Sequence, residues 1–186
     1  LEALRAWSPL EGPVTWAPDT VVSTPSTAHN VVAFEEASKV IQVGTSTMGG
    51  GAVIFDLSDP SAPSLIGGLS EWGSLHDAQA LIYNGPDAAH VGKEILFAAG
   101  GESLWILDIT DASDVQLIGT STYTNPHFSH QVWVSDTPDH AFLGDELDET
   151  SEGGATRTVV FDLTDLDHPQ EVEVHVAETT ASDHNQ

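Results

Sequence analysis

The chain has no cysteine and almost no positive charge. Without thiols, no disulfide holds the fold and no sulfur nucleophile is available. That absence does not identify the compartment. Four cations, Arg5, Lys39, Lys93 and Arg157, face 29 acidic residues, for a net charge of −25. So few cations leave nothing to track a nucleic-acid backbone, so no nucleic-acid partner is expected. An anionic membrane surface would repel the chain for the same reason. No apolar run approaches the ~20 residues that span a bilayer, so no direct membrane span is expected in this fragment. The opening LEALRAWSPL lacks the basic start and apolar core of a signal peptide, which places any export signal outside the segment.

What is present is enough for a core, since 40% of residues are apolar. The acids are dispersed between apolar runs such as AVIFDL and LWILDI rather than gathered in a tail. Dispersed carboxylates with so little lysine point to a host with high salt. At molar ionic strength, screening over a few ångströms removes the self-repulsion.

The fold is legible through an internal repeat. Phe55-Asp56-Leu57-Ser58-Asp59 recurs as Leu107-Asp108-Ile109-Thr110-Asp111 and as Phe161-Asp162-Leu163-Thr164-Asp165, at spacings of 52 and 54 residues. A second marker runs in phase with the first: His29-Asn30, His76-Asp77, His130-Gln131 and His184-Asn185. Four short strands are predicted within each repeat, over residues 31–34, 40–45, 52–57 and 64–67, then 78–83, 94–98, 104–109 and 115–119. The third set is 132–135, 141–144, 158–163 and 171–176. FEEASK at 34–39 reads as a hairpin loop, and YNGPDAAHVGKE as an insert that lengthens one hairpin. No segment sustains a helical period with caps. Four strands per repeat of about fifty residues is the pattern of propeller blades. The expected fold class is therefore all-β: a partial β-propeller with about three full blades of four antiparallel strands.

The expected division is 29–75, 76–129 and 130–183 for the blades, with 184–186 starting the next. Residues 1–28, with a strand-like run at Thr20–Ser23, read as the outer part of a preceding blade. Propellers close with about 4–8 blades, so the remaining blades of the same protein, or neighbouring chains, are expected to complete the arc.

IFDLSDPSAP, LDITDASD and FDLTDLDHP, together with AHNV, GGGAVIFDLSDP, HDAQALIYNGPD, GKEI, SHQVW, GDELDE, TRT and DHNQ, resemble the LVIVD-repeat propellers of bacterial and archaeal choice-of-anchor B surface proteins. The resemblance covers residues 28–186 well and the first 27 weakly. It implies export, an upstream signal peptide, a downstream anchor and an extracellular or cell-surface location. It carries over no catalytic residues.

Two groups of residues are candidates for chemistry. His29, His76, His130 and His184 each open the first strand of a repeat, the strand that lines a propeller channel. Imidazoles with neighbouring carboxylates, such as Asp77 or Asp183, suit a transition metal such as zinc. The structural alternative is that each imidazole binds a backbone group of the next blade and fixes blade spacing, and repetition in every blade favours it. Asp145, Glu146, Asp148 and Glu149 form the second group. These four carboxylates offer oxygen ligands for calcium, although the loop lacks the glycine and spacing of an EF-hand. Solvated surface, or a pairing with Arg157 across the hairpin, is the alternative. No G-x-S-x-G elbow, Walker loop or dinucleotide fingerprint is present, and Trp72, Trp105 and Trp133 read as packing between blades.

The leading expectation is a non-enzymatic extracellular propeller in a halophilic organism. It would act as a scaffold or binding module for a cell-surface protein or glycan. The alternative is a metal-dependent enzyme with a histidine-lined site at the channel mouth.

Overall fold

A computed structural model describes residues 8, 12–15, 17–70, 72–182 and 184. Among the described residues, twelve strands arise in chain order. The first blade holds β1 (Asn30–Phe34), β2 (Lys39–Val43), β3 (Ala52–Asp56) and β4 (Ser64–Leu69). The second holds β5 (Asp77–Ile82), β6 (Glu94–Gly100), β7 (Ser103–Asp108) and β8 (Gln116–Ser121). The third holds β9 (Ser129–Val134), β10 (His140–Asp145), β11 (Arg157–Asp162) and β12 (Gln170–Val176). A four-residue helix, α1 (Asp148–Ser151), sits between β10 and β11. Each blade is a four-stranded antiparallel meander in sequence order. No described helix is long and apolar enough to cross a membrane.

Why these segments turn where they do follows from the repeated aspartates. Asp56, Asp108 and Asp162 each end the third strand of their blade. Each accepts a hydrogen bond from the backbone N–H two residues on, from Ser58 at 2.8 Å, Thr110 at 3.0 Å and Thr164 at 2.7 Å. Asp59, Asp111 and Asp165 repeat the device one step later, accepting from the N–H groups of Ser61, Ser113 and Asp167. These local bonds close the turn before the fourth strand without help from tertiary contacts. The serine and threonine donors also hold the Asp56, Asp59, Asp111 and Asp162 carboxyls below the usual carboxylate range.

A bulge falls at the same register position in all three blades, between Ile54 and Phe55, Ile106 and Leu107, and Val160 and Phe161. It adds twist to the outer strand pair. The first strands converge, with β1 against β5 and β5 against β9, while no two fourth strands make comparable contact. The blades therefore fan out from their first strands.

Two hydrophobic layers join the blades. Ile41, Val43, Ala52 and Ile54 of the first pack on Ala78, Leu96, Ala98 and Leu107 of the second. Ile95, Phe97, Leu104 and Ile106 of the second pack on Val132, Ala141, Leu143 and Phe161 of the third. Most of these side chains are fully buried, each buried Val, Leu, Ile or Phe contributing about 1.5–3 kcal/mol. The junctions are tight because a glycine faces the next blade's turn. A Cβ on Gly67 would lie 1.7 Å from the Ala112 carbonyl oxygen, and one on Gly119 would lie 2.2 Å from that of Leu166. The register partner at the same place in the third blade is Glu173, opposite Val160.

Thr20–Ser23 forms no strand. The described sheet of the first blade has four members, so the segment finds no ladder to join. FEEASK condenses into a short 3-10 turn over Glu35–Ala37. Trp72 and Trp105 pack beside the first junction as expected, and the Trp105 indole donates to the Gly100 carbonyl at 3.1 Å. Trp133 does not share this role. It is 67% exposed on the uncovered face of the third blade, beside Phe142.

Candidate functional site

Because the four histidines open equivalent strands, the convergence of those strands brings their rings into one row. Ring centroids are 3.6 Å apart for His29 and His76, 4.3 Å for His76 and His130, and 4.6 Å for His130 and His184. The sequence register is thus translated into a ladder of imidazoles across the inner edge of the arc.

The rungs are not alike. The Nδ1 of His76 lies 2.9 Å from the carbonyl oxygen of His130, a side-chain bond to the next blade's backbone. Asp77 continues the pattern, accepting from Asn30 Nδ2 of the preceding blade at 2.5 Å, with the backbone of Val132 in the following blade adding to it. Burial pushes the Asp77 carboxyl up against these opposing bonds. Gln79 accepts from the N–H of Val134 at 2.6 Å. At these positions the inner-strand polar residues of the second blade fix blade spacing.

His130 is different. It is 4% exposed, and neither ring nitrogen has a hydrogen-bond partner. Glu146, which follows β10, lies against it. The Nε2–Oε2 separation is 3.4 Å, an electrostatic contact without hydrogen-bond alignment. The other carboxyl oxygen of Glu146 is 2.6 Å from Nδ1 of His184. His184 is placed by the segment that leaves β12. The N–H of Ala177 donates to Thr156, the N–H of Thr156 to Thr179, and the Ser182 hydroxyl to the Glu146 carbonyl. His130, Glu146 and His184 therefore bring one ligand atom each within 4.8 Å of one another. Asp183 lies outside the described residues, and His29 and His76 are not in this group.

Burial and the neighbouring His76 push the His130 pKa down from its ordinary 6.5 to about 4. Burial likewise lowers that of His76. The unfolded chain then binds more protons than the folded one between these values, so stability is lost as pH falls through that window. In chelator-treated protein at molar salt, the melting temperature should drop between about pH 6.5 and pH 4. His130→Gln should flatten the drop. An unchanged slope in that variant would show that His130 is not the group responsible.

The acidic run splits: Asp145 turns inward, Asp148 and Glu149 lie together, and Glu146 turns away from both. Asp145 is fully buried, with Oδ2 accepting from the Tyr123 hydroxyl at 2.8 Å and the His127 N–H at 2.7 Å. Its Oδ1 accepts from the N–H groups of Phe128 at 2.9 Å and Leu147 at 3.2 Å. Those four bonds fasten the 123–128 loop, and they occupy the lone pairs that a calcium ion would need. Asp148, also buried, pairs with Arg157 Nε at 2.5 Å, the pairing across the hairpin that the sequence allowed. Burial and the neighbouring Asp148 raise the Glu149 carboxyl. Glu146 alone turns towards the histidines.

A second cluster, Asp87, His90 and Asp167, had no repeat signal to mark it. The Nε2 of His90 lies 2.9 Å from Asp167, and Asp87 accepts from the N–H of Leu166 at 3.0 Å. The ammonium of Lys93 lies 3.4 Å from Nδ1 of His90. With a cation already at that ring and the carboxylates bonded, the cluster works as a clamp. It ties the 83–93 insert to the third blade's turn.

No protein-family model matches the chain, and no curated protein does. Among solved structures, the chain is similar to a Lactobacillus plantarum protein determined by structural genomics, with 13% identity and a TM-score of 0.52. The match covers 78% of this chain and 41% of that one, so this chain spans about two fifths of that protein's length. That neighbour is a β-propeller-like protein. Its likeness at this identity concerns the fold, and it agrees with three antiparallel four-stranded blades: the chain is an arc of a β-propeller.

Proposed function

We propose that this arc belongs to an extracellular propeller of the LVIVD-repeat, choice-of-anchor B kind, and that it serves as a scaffold or binding module at the surface of a salt-adapted cell. One observation carries the scaffold reading. The repeated polar residues His76 and Asp77, and beside them Gln79, bond to the adjoining blades, so their positions serve blade spacing. The uncovered face of the third blade takes a further propeller blade. Phe142 and Val160 occupy the places that Phe97 and Ile106 hold in the second blade, where the next blade buries them completely. Phe142 itself is 38% exposed.

The location is tested by protease shaving of intact cells that express the full-length protein, with immunodetection of released peptides. Release of peptides from the 29–176 region before cell lysis is the expected result. Protection until lysis would overturn the surface reading. A second reading, metal binding at the inner edge, is favoured by the convergence of His130, Glu146 and His184.

A further inference from the structure

We propose that His130, Glu146 and His184 form a binding site for one divalent transition-metal ion of the zinc class, which staples the segment following β12 to the inner edge of the third blade.

Three observations carry this. The first is geometric. Zinc bonded at about 2.0–2.1 Å in a tetrahedral set places its ligands about 3.3 Å from one another. The His130 Nε2 to Glu146 Oε2 separation is 3.4 Å, and His184 Nδ1 stands 2.6 Å from the other Glu146 oxygen. Opening that last contact by less than an ångström brings it to this spacing, the three ligand atoms already lie within 4.8 Å of one another, and His184 has the freedom to adjust, its side chain being 65% exposed.

The second observation is the condition of His130. A buried imidazole normally has a partner for each nitrogen, and one left without partners costs about 1–3 kcal/mol per group. Both nitrogens of His130 are buried and unpartnered. A metal bonded to the lone pair of Nε2 gives that atom a partner that no nearby side chain supplies as a hydrogen bond.

The third is the contrast along the ladder. His76 has Nδ1 engaged by backbone, and the row of rings is too long for all members to share an ion. The structure selects two histidines and adds a carboxylate from a different loop. Two imidazoles with one carboxylate suit zinc-class ions better than calcium, which takes 6–8 oxygen ligands. Three protein ligands leave a coordination position for water or an incoming donor. The high density of carboxylates on the chain raises the local concentration of cations around the site.

The test uses purified, chelator-stripped protein in molar sodium chloride, titrated calorimetrically with Zn²⁺ and spectroscopically with Co²⁺. One tight site per chain is expected, with visible cobalt bands of low-coordinate geometry and no displacement by Ca²⁺ or Mg²⁺. Outer-shell changes at metal sites already weaken binding by about 10–100-fold, so Glu146→Gln and His184→Ala should each exceed about 100-fold. His130→Ala should match them. Should it fail to fold, the other two variants decide, because both residues are partly or largely exposed. Asp167→Asn, in the separate Asp87–His90–Asp167 cluster, should leave the site intact. The proposal is overturned if Glu146→Gln and His184→Ala bind zinc as tightly as the parent. Displacement of zinc by equimolar calcium would overturn it equally, since binding would then follow the general carboxylate field.

Discussion

Replacing Asp145 with alanine should destabilise the protein by about 4 kcal/mol or more, because it strands several buried donors at once. The side chain has no exposed surface and receives bonds from one hydroxyl and three backbone N–H groups. Alanine takes their acceptor from the N–H groups of His127 and Phe128 and leaves the Tyr123 hydroxyl only Ser129 Oγ, 3.2 Å away. At about 2–4 °C per kcal/mol for a chain of this size, the melting temperature should fall by roughly 10 °C. Asp145→Asn should be nearly as damaging, since its amide turns two donors towards groups that are themselves donors. Asp136→Ala, an exposed acid on the same blade, is the control and should stay within about 0.5 kcal/mol. Urea melts at molar salt measure all three. A loss below about 1 kcal/mol for Asp145→Ala would mean that the 123–128 loop is held by something else.

The second large effect concerns the whole charge distribution. Among the described residues the cations are already engaged: Lys39 with Glu94, Lys93 with Asp108 at 3.0 Å, and Arg157 with Asp148. The remaining acids therefore repel one another with no further cations among the described residues to offset them. The screening length shortens from about 30 Å at 0.01 M salt to about 3 Å at 1 M, which brings it below the spacing of most surface carboxylates. The melting temperature should accordingly rise on the order of 10 °C across that range, equivalent to about 3 kcal/mol. Sodium chloride and potassium chloride should act alike if screening is the cause. A transition that is flat, or that moves down with added salt, would refute salt adaptation.

Much of the architecture was written in local pattern. The aspartates at 56, 108 and 162 mark the end of a third strand because each closes its own turn, a job that needs no distant partner. The histidine spacing survives in three dimensions because it is a register, and register is what adjacent blades preserve. The bulges that recur after Ile54, Ile106 and Val160 left no comparable mark, since the extra residue is an ordinary aliphatic.

The functional neighbourhood was harder to read. Asp145 and Glu146 are adjacent in sequence and both acidic, yet one points into the core and the other towards the imidazole row. Alternation of side chains at the end of β10, together with a register shift there, separates them. Trp133 deceived for a related reason. Its equivalent in the second blade is Gln79, whose position is covered by the third blade, whereas position 133 lies on the uncovered side.

Glu173 makes the three blades non-interchangeable. The first two present a hydrogen atom where the neighbour's turn carbonyl arrives; the third presents a charged side chain. A duplicated second blade grafted after the third would drive the carbonyl at its position 112 into that side chain and stand off from the sheet. Whatever element covers this face must either hold its turn further out or bring a donor for the carboxylate. The arc therefore has a direction of growth built into a single column of residues, and its last face selects a different neighbour from the two before it.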